Sequence, residues 1–275
     1  MKTAELKAAN KEQEVVDRTA PPGEVIYEAI YAEGEHELER NGIELALSGL
    51  AAGLSMGFSM LGEGLLRQYL PKAPWAPLVT MLGYSLGFLI VILGRQQLFT
   101  KNTLTVILPL LRAKHLGILR NVARLWTIVF VMNIIGTFAF AAFAARTPVF
   151  SPEARSEFAQ MGAHLLEAGF GTLILRGIVA GWIIALMVWL LPFAESARIW
   201  VIIILSYLIG LADTPHIIAG SVEAGYLVCS GALGLGSYFI NFLIPVLIGN
   251  VIGGVALVAV GAHAEFFEAE EEEEK

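Results

Sequence analysis

Charge is scarce in this sequence. Asp, Glu, Lys and Arg make up 16% of its 275 residues and hydrophobic residues 56%, whereas a water-soluble domain carries about 25% charged residues. Cysteine is almost absent: Cys229 stands alone, which excludes a disulfide framework and a Cys-based metal site. Neither a glycine-rich phosphate loop nor a cluster with metal-ligand spacing can be found, so an ATP-driven pump, a resident metal or another cofactor is not expected. Residues 1–40 are polar and hold no apolar stretch of signal-peptide type. The net charge of −7 comes largely from the terminal run EFFEAEEEEEK, and no nucleic-acid partner is expected.

Long apolar runs are abundant. Residues 73–94, 125–145, 177–194, 199–212 and 224–264 contain no Asp, Glu, Lys or Arg, and about 20 apolar residues suffice to cross a bilayer as a helix. The pattern predicts an all-α membrane protein with spans near 42–66, 76–112, 119–146, 167–194, 197–230 and 233–262. The domain reading follows: a polar arm over 1–40, a six-helix membrane domain over 41–263, and an acidic, solvated tail over 264–275. Between the third and fourth spans, Ser151-Pro152-Glu153 predicts the start of a short amphipathic helix, with Ser151 as cap and Pro152 in its first turn. An even number of spans puts both termini on one side. Lys2, Lys7, Lys11, Arg18, Arg40, Arg112, Lys114, Arg120, Arg124, Arg198 and Lys275 collect there, against Arg67, Lys72, Arg146, Arg155 and Arg176 opposite. The positive-inside rule makes the terminal side cytoplasmic.

The sequence also repeats itself. SGLAAG (48–53) resembles RGIVAG (176–181), and NIIG (133–136) resembles NVIG (250–253), at offsets of 128 and 117 positions. The second and fifth spans are both too long and both interrupted, by GRQQLFTKNT (94–103) and GLADTPH (210–216). Three spans per half predict an inverted 3+3 repeat, with a substrate path between the halves near the midplane. Only backbone that is buried or lines a cavity can leave helical geometry at that depth.

Asp213, Pro215 and His216 are costly residues for a bilayer, and their position in a helix break points to function. Pro215 suits the start of a second half-helix, whose free N–H groups favour an anion. His216 stands at its head, able to donate a hydrogen bond or lend a proton. Glu63 and Glu223 read as interfacial charges and Glu44 as a helix-start charge. GYSLG (83–87) matches a nucleophile-elbow pattern, but Ser85 sits in an apolar helical run rather than a strand-to-helix turn, so no enzyme is expected. A neutral-solute channel would need paired Asn-Pro-Ala loops, which the sequence lacks.

LFTKNTL (98–104), TPHIIAG (214–220) and NFLIPVLIGNVIGG (241–254) resemble the two breaks and the sixth helix of the formate/nitrite transporter family. The charged arm and AGSVE resemble its YfdC-like branch. The resemblance spans residues 40–262. It implies an aquaporin-like fold with one pore per protomer of a homopentamer in a bacterial-type inner membrane. It also implies passage of a small weak-acid anion, such as formate or nitrite, coupled to a proton. Carried over by position, His216 is the central histidine and Thr100 the opposing hydroxyl, with Phe99 and Asn102 on the same loop. Leu98 and Ile209 form a cytoplasmic-side constriction, and Arg176 attracts anions outside. Gly181 stands where formate-type members carry an asparagine, and Trp182 follows it. Arg95 and Lys101 depart from the family pattern. They could bind an anion, or pin the loop through an acidic partner such as Asp213, giving a gated or non-conducting scaffold.

Overall fold

The computed structural model describes residues 21–113 and 115–268. The first half of the polar arm, Lys114 and the end of the acidic tail lie outside the described residues. Ten helices are numbered here in chain order, and no strand occurs among the described residues. The amphipathic α1 (Gly23–Glu39) is followed by α2 (Gly42–Tyr69), which starts where Asn41 accepts a hydrogen bond from the Glu44 N–H at 2.9 Å. Next come α3 (Ala76–Leu93), α4 (Asn102–Ala113) and α5 (Leu116–Arg146). The loop helix α6 (Pro152–Leu165) starts as expected, with Ser151 accepting from the Ala154 N–H at 3.1 Å and Pro152 in the first turn. The rest are α7 (Phe170–Leu190), α8 (Arg198–Leu211), α9 (Ile217–Ser230) and α10 (Leu235–Gly254). Five helices are long and apolar enough to cross a membrane: α2, α3, α5, α7 and α10. The breaks fall at 94–101 and 212–216, inside the two stretches that read as interrupted.

Both breaks begin in the same way. At the end of α3, Arg95 takes φ +49° and the Gln96 N–H returns to the Val91 carbonyl at 2.9 Å. At the end of α8, Asp213 takes φ +52° and the Thr214 N–H returns to the Ile209 carbonyl at 3.2 Å. Each is a left-handed helix terminus that glycine usually occupies; here a charged residue holds it and faces a cavity.

Both breaks are also held in the same way, each by one buried asparagine. Asn133 of α5 donates to the Gly49 carbonyl (2.7 Å) and the Gln97 carbonyl (2.8 Å), and accepts from the Phe99 N–H (2.9 Å). Asn250 of α10 donates to the Gly177 carbonyl (2.9 Å) and the Pro215 carbonyl (3.1 Å), and accepts from the Ile217 N–H (2.9 Å). A carboxamide offers two donors and an acceptor in one plane, which matches one orphan carbonyl and one orphan N–H of each break, with the second donor left for a carbonyl of the neighbouring helix, Gly49 or Gly177. To bring these groups within reach, α2 must lie tight on α5, and α7 on α10. Glycines allow it: a Cβ at Gly53 would sit 2.2 Å from the Asn133 carbonyl oxygen, and one at Gly181 2.2 Å from that of Asn250.

On one face, α1 lies across the end of α4. A Cβ at Gly34 would stand 2.0 Å from the Thr105 carbonyl oxygen. Glu37 accepts from Gln97 at 2.6 Å and Glu33 pairs with Lys101 at 2.5 Å, so the arm grips the first break.

Two outcomes follow. Asn133→Leu or Asn250→Leu leaves two buried backbone groups of its break unpaired, Gln97 C=O and Phe99 N–H or Pro215 C=O and Ile217 N–H, and each variant should lose roughly 2 kcal/mol or more of stability. Thermal unfolding in detergent, followed by size exclusion, measures this, and unchanged melting of both variants would contradict it. Gly34→Leu should lift α1 and speed proteolysis within residues 21–40. Glu33→Gln, which loses only a part-exposed ion pair worth about 1 kcal/mol or less, should leave the cleavage rate nearly unchanged.

Candidate functional site

The two breaks meet at a buried contact. Thr100 Oγ1 lies 2.6 Å from His216 Nε2, and the residues are 1% and 0% exposed. His216 also caps α9, its Nδ1 accepting from the Ala219 N–H at 3.2 Å. An amide N–H can only donate, so Nδ1 is the acceptor and Nε2 carries the ring hydrogen. Thr100 therefore accepts from the ring and keeps its own hydroxyl hydrogen for another partner. The edge of Phe88 closes on the imidazole, with ring centroids 5.0 Å apart.

A cavity approaches this contact from each face. The one beside α1, about 470 Å³, reaches Val91 and Leu98 and is rimmed by Arg40, Arg95, Lys101 and Arg198. The other, about 330 Å³, reaches Ile209 and His216 and is lined by Glu63, Arg67, His164, Asp213 and Glu223. Leu98 and Ile209 thus stand at opposite mouths, not together at one constriction as the resemblance implies. The apolar partner of Leu98 is Val91, the residue matching Ile209 at the start of the other break. The 118-position offset shared by 98 with 216 and 91 with 209 could have located it.

Other expected site residues sit elsewhere. The Phe99 ring packs edge-on against Trp126 and Phe130 of α5, at 5.5 and 4.9 Å. Asn102 is buried and donates to the Gln97 side chain at 2.9 Å, while its carbonyl accepts from Trp126 Nε1 at 3.1 Å; it braces the loop. Gly181 is filled by the Asn250 backbone, and Trp182 points outward, 45% exposed. Neither lines the two cavities described above, because Gly181 is turned to the neighbouring helix and Trp182 to the surroundings. Arg176 is bonded to Asp213, so an anion would have to compete with a carboxylate for it. Lys101 pairs with Glu33, not Asp213. Ser85 donates to the Ile203 carbonyl at 3.3 Å within the helix packing.

Glu63 and Glu223 are 4% and 7% exposed and line the second cavity rather than the outer surface. Glu63 accepts from Arg67 at 3.0 Å, and Arg67 also approaches Glu157 at 3.5 Å. The signal for Glu223 was its spacing from His216: seven residues place both on one face of α9.

The formate/nitrite transporter family profile matches residues 24–264. Inner membrane protein YfdC of Escherichia coli (strain K12) is 40% identical, over 95% of this chain and 85% of that protein. Formate channel BtFdhC of Bacillus thuringiensis is 25% identical, over 67% of this chain and 72% of that one. Among solved structures, an FNT family ion channel superposes with a TM-score of 0.76 at 19% identity, covering 86% of this chain and 96% of its own. A pentameric formate channel with formate bound superposes at 0.66 and 20% identity, covering 80% and 95%. With the profile spanning both breaks and both clamping asparagines, the chain belongs to the formate/nitrite transporter family.

Proposed function

We propose that this chain is a membrane channel or transporter for a small monovalent weak-acid anion of the formate/nitrite class, coupled to protons. It would work as a homopentamer with one path per protomer in an inner membrane. The observation that carries the reading is the buried Thr100–His216 contact at the meeting of two helix breaks, with one cavity reaching His216 and a second reaching Leu98 and Lys101 beside Thr100. A formate channel and a pentameric formate-bound structure among its relatives support the substrate class and the assembly. The matched asparagine clamps and matched helix ends support two halves of three spans each in opposite orientation. Basic residues on the α1 side support placing that side in the cytoplasm. Outward-facing apolar side chains on α3, α7 and α10, such as Leu82, Val179 and Ile248, suit lipid or a neighbouring protomer.

The mechanism rests on desolvation. Val91 and Leu98 on one side, Ile209 on the other and Phe88 packed against His216 leave little to solvate a charge, and an unpaired ion in such surroundings costs many kcal/mol. A weak acid with a pKa near 4 is neutral in only about one molecule in a thousand at pH 7, a penalty of roughly 4 kcal/mol. Crossing as the neutral acid is therefore the cheaper route. At the throat, Thr100 is the free donor and His216 holds its hydroxyl in place. Because Nδ1 is bound in the helix cap, His216 acts in this reading as a fixed hydrogen-bond partner. The grip of α1 on the first break and the Arg176–Asp213 bond at the second favour a resting form closed at both mouths.

Proteoliposomes in a stopped-flow light-scattering assay should swell faster with formate, nitrite or acetate at mildly acidic than at neutral pH, with glycerol silent. Thr100→Val should lower formate flux about tenfold, the equivalent of one hydrogen bond of ordinary strength. His216→Asn keeps a good helix cap but loses the Nε2 donor, and should also lower it. Glycerol flux without formate flux would overturn the anion reading. Full flux in both variants would remove the throat from the mechanism.

A further inference from the structure

Charges in the cavity away from α1 are matched with partners, with one exception. Arg67 is shared between Glu63 and Glu157, Arg176 holds Asp213, and His164 Nε2 lies 3.5 Å from the same Asp213. Among the described residues, no hydrogen bond or ion pair reaches the Glu223 carboxyl, which is more than nine-tenths buried and faces the cavity. An ionisable group left unpartnered at membrane depth is costly to keep and points to use. Its place gives the use. Glu223 lies two helical turns beyond His216 on the same face of α9, with only Gly220 between them among the residues of that face lining the cavity. An anion arriving from this side passes Glu223 before it meets the throat.

The throat itself is poorly suited to protonating that anion. His216 Nδ1 is engaged by the Ala219 N–H and Nε2 by Thr100, so a second ring proton would break the cap of α9. The paired Arg67 and Arg176 leave no free cation in the cavity to hold a naked anion. We propose that Glu223 is the proton donor to the transported anion on the face away from α1, an inference resting on the weak-acid reading above. The carboxylic O–H bond breaks as the O–H bond of the transported acid forms. The neutral acid moves on to Thr100 and His216, and the remaining carboxylate takes its next proton from hydronium in the cavity water. The groups that bear on this exchange are Glu63 and Arg67 from α2, Tyr84 from α3, His164 and Glu157 from α6, and Asp213 and His216 from the second break.

Formate uptake driven by an acidic exterior is compared in proteoliposomes of wild type, Glu223→Gln and Glu223→Asp. Glu223→Gln should lower the acid-driven rate roughly tenfold or more, in the range of a lost general acid, and flatten its dependence on external pH. Glu223→Asp should restore the pH dependence at a reduced rate. A wild-type pH profile in Glu223→Gln would overturn the proposal. Infrared difference spectra with and without formate give a readout independent of flux. Loss of a protonated-carboxyl band on adding formate, present in wild type and absent in Glu223→Gln, sustains the assignment. The same band change in both proteins, or in neither, overturns it. If wild type conducts no weak acid, the channel reading fails, and the infrared result alone then decides whether Glu223 exchanges a proton with formate.

Discussion

Two helices that stop inside the packed core leave backbone N–H and C=O groups in a place without water, and each must find a partner inside the protein. Asn133 and Asn250 supply those partners, two bonds apiece to the break and a third to the neighbouring helix, and much of the architecture can be derived from that requirement. The glycine contacts of α2 with α5 and of α7 with α10 exist at the spacing that brings an asparagine to the break. The left-handed helix ends at Arg95 and Asp213 turn the chain back toward the clamp. Once both clamps are set, Thr100 and His216 stand opposite each other at hydrogen-bond distance, and a polar point is available in an otherwise apolar throat.

Around this common frame the two faces differ in charge. The α1 side carries Arg40, Arg95, Lys101 and Arg198, with Glu33 and Glu37 from the arm answering two of them. The opposite cavity carries Glu63, Asp213 and Glu223 against Arg67, with Arg176 bound to Asp213. Matching positions 95 and 213 take opposite charges on the same backbone geometry. An anion is thus met by cations on one side and by carboxyl groups on the other, which suits a path where a proton accompanies it across the second half.

Much of this was legible in the sequence because the signals were local. The breaks announced themselves through glycine, proline and charge inside apolar runs, and Ser151-Pro152 marked its helix start to the residue. The recurrence of NIIG and NVIG pointed at the asparagines, although their role as clamps needed the third dimension. What stayed hidden depended on helix rotation and on distant partners. Nothing in one strand of text turns Trp182 outward or seats Gly181 against Asn250. The Arg176–Asp213 bond joins residues from different spans, and Lys101 finds Glu33 in an arm that reads as merely polar. Glu63 and Glu223 look like span-end charges until packing shows both inside a cavity. Leu98 and Ile209 line different cavities, a separation that their order along the chain does not announce.

The central claim is that the substrate passes the Thr100–His216 throat as a neutral acid. Formate uptake into proteoliposomes under separate control of pH gradient and membrane potential tests it most directly, with valinomycin setting the potential and nigericin collapsing the pH gradient. The account predicts uptake that follows the pH gradient and is indifferent to the imposed potential. Uptake that follows the potential when no pH gradient is present would mean that the anion itself crosses, and would contradict it.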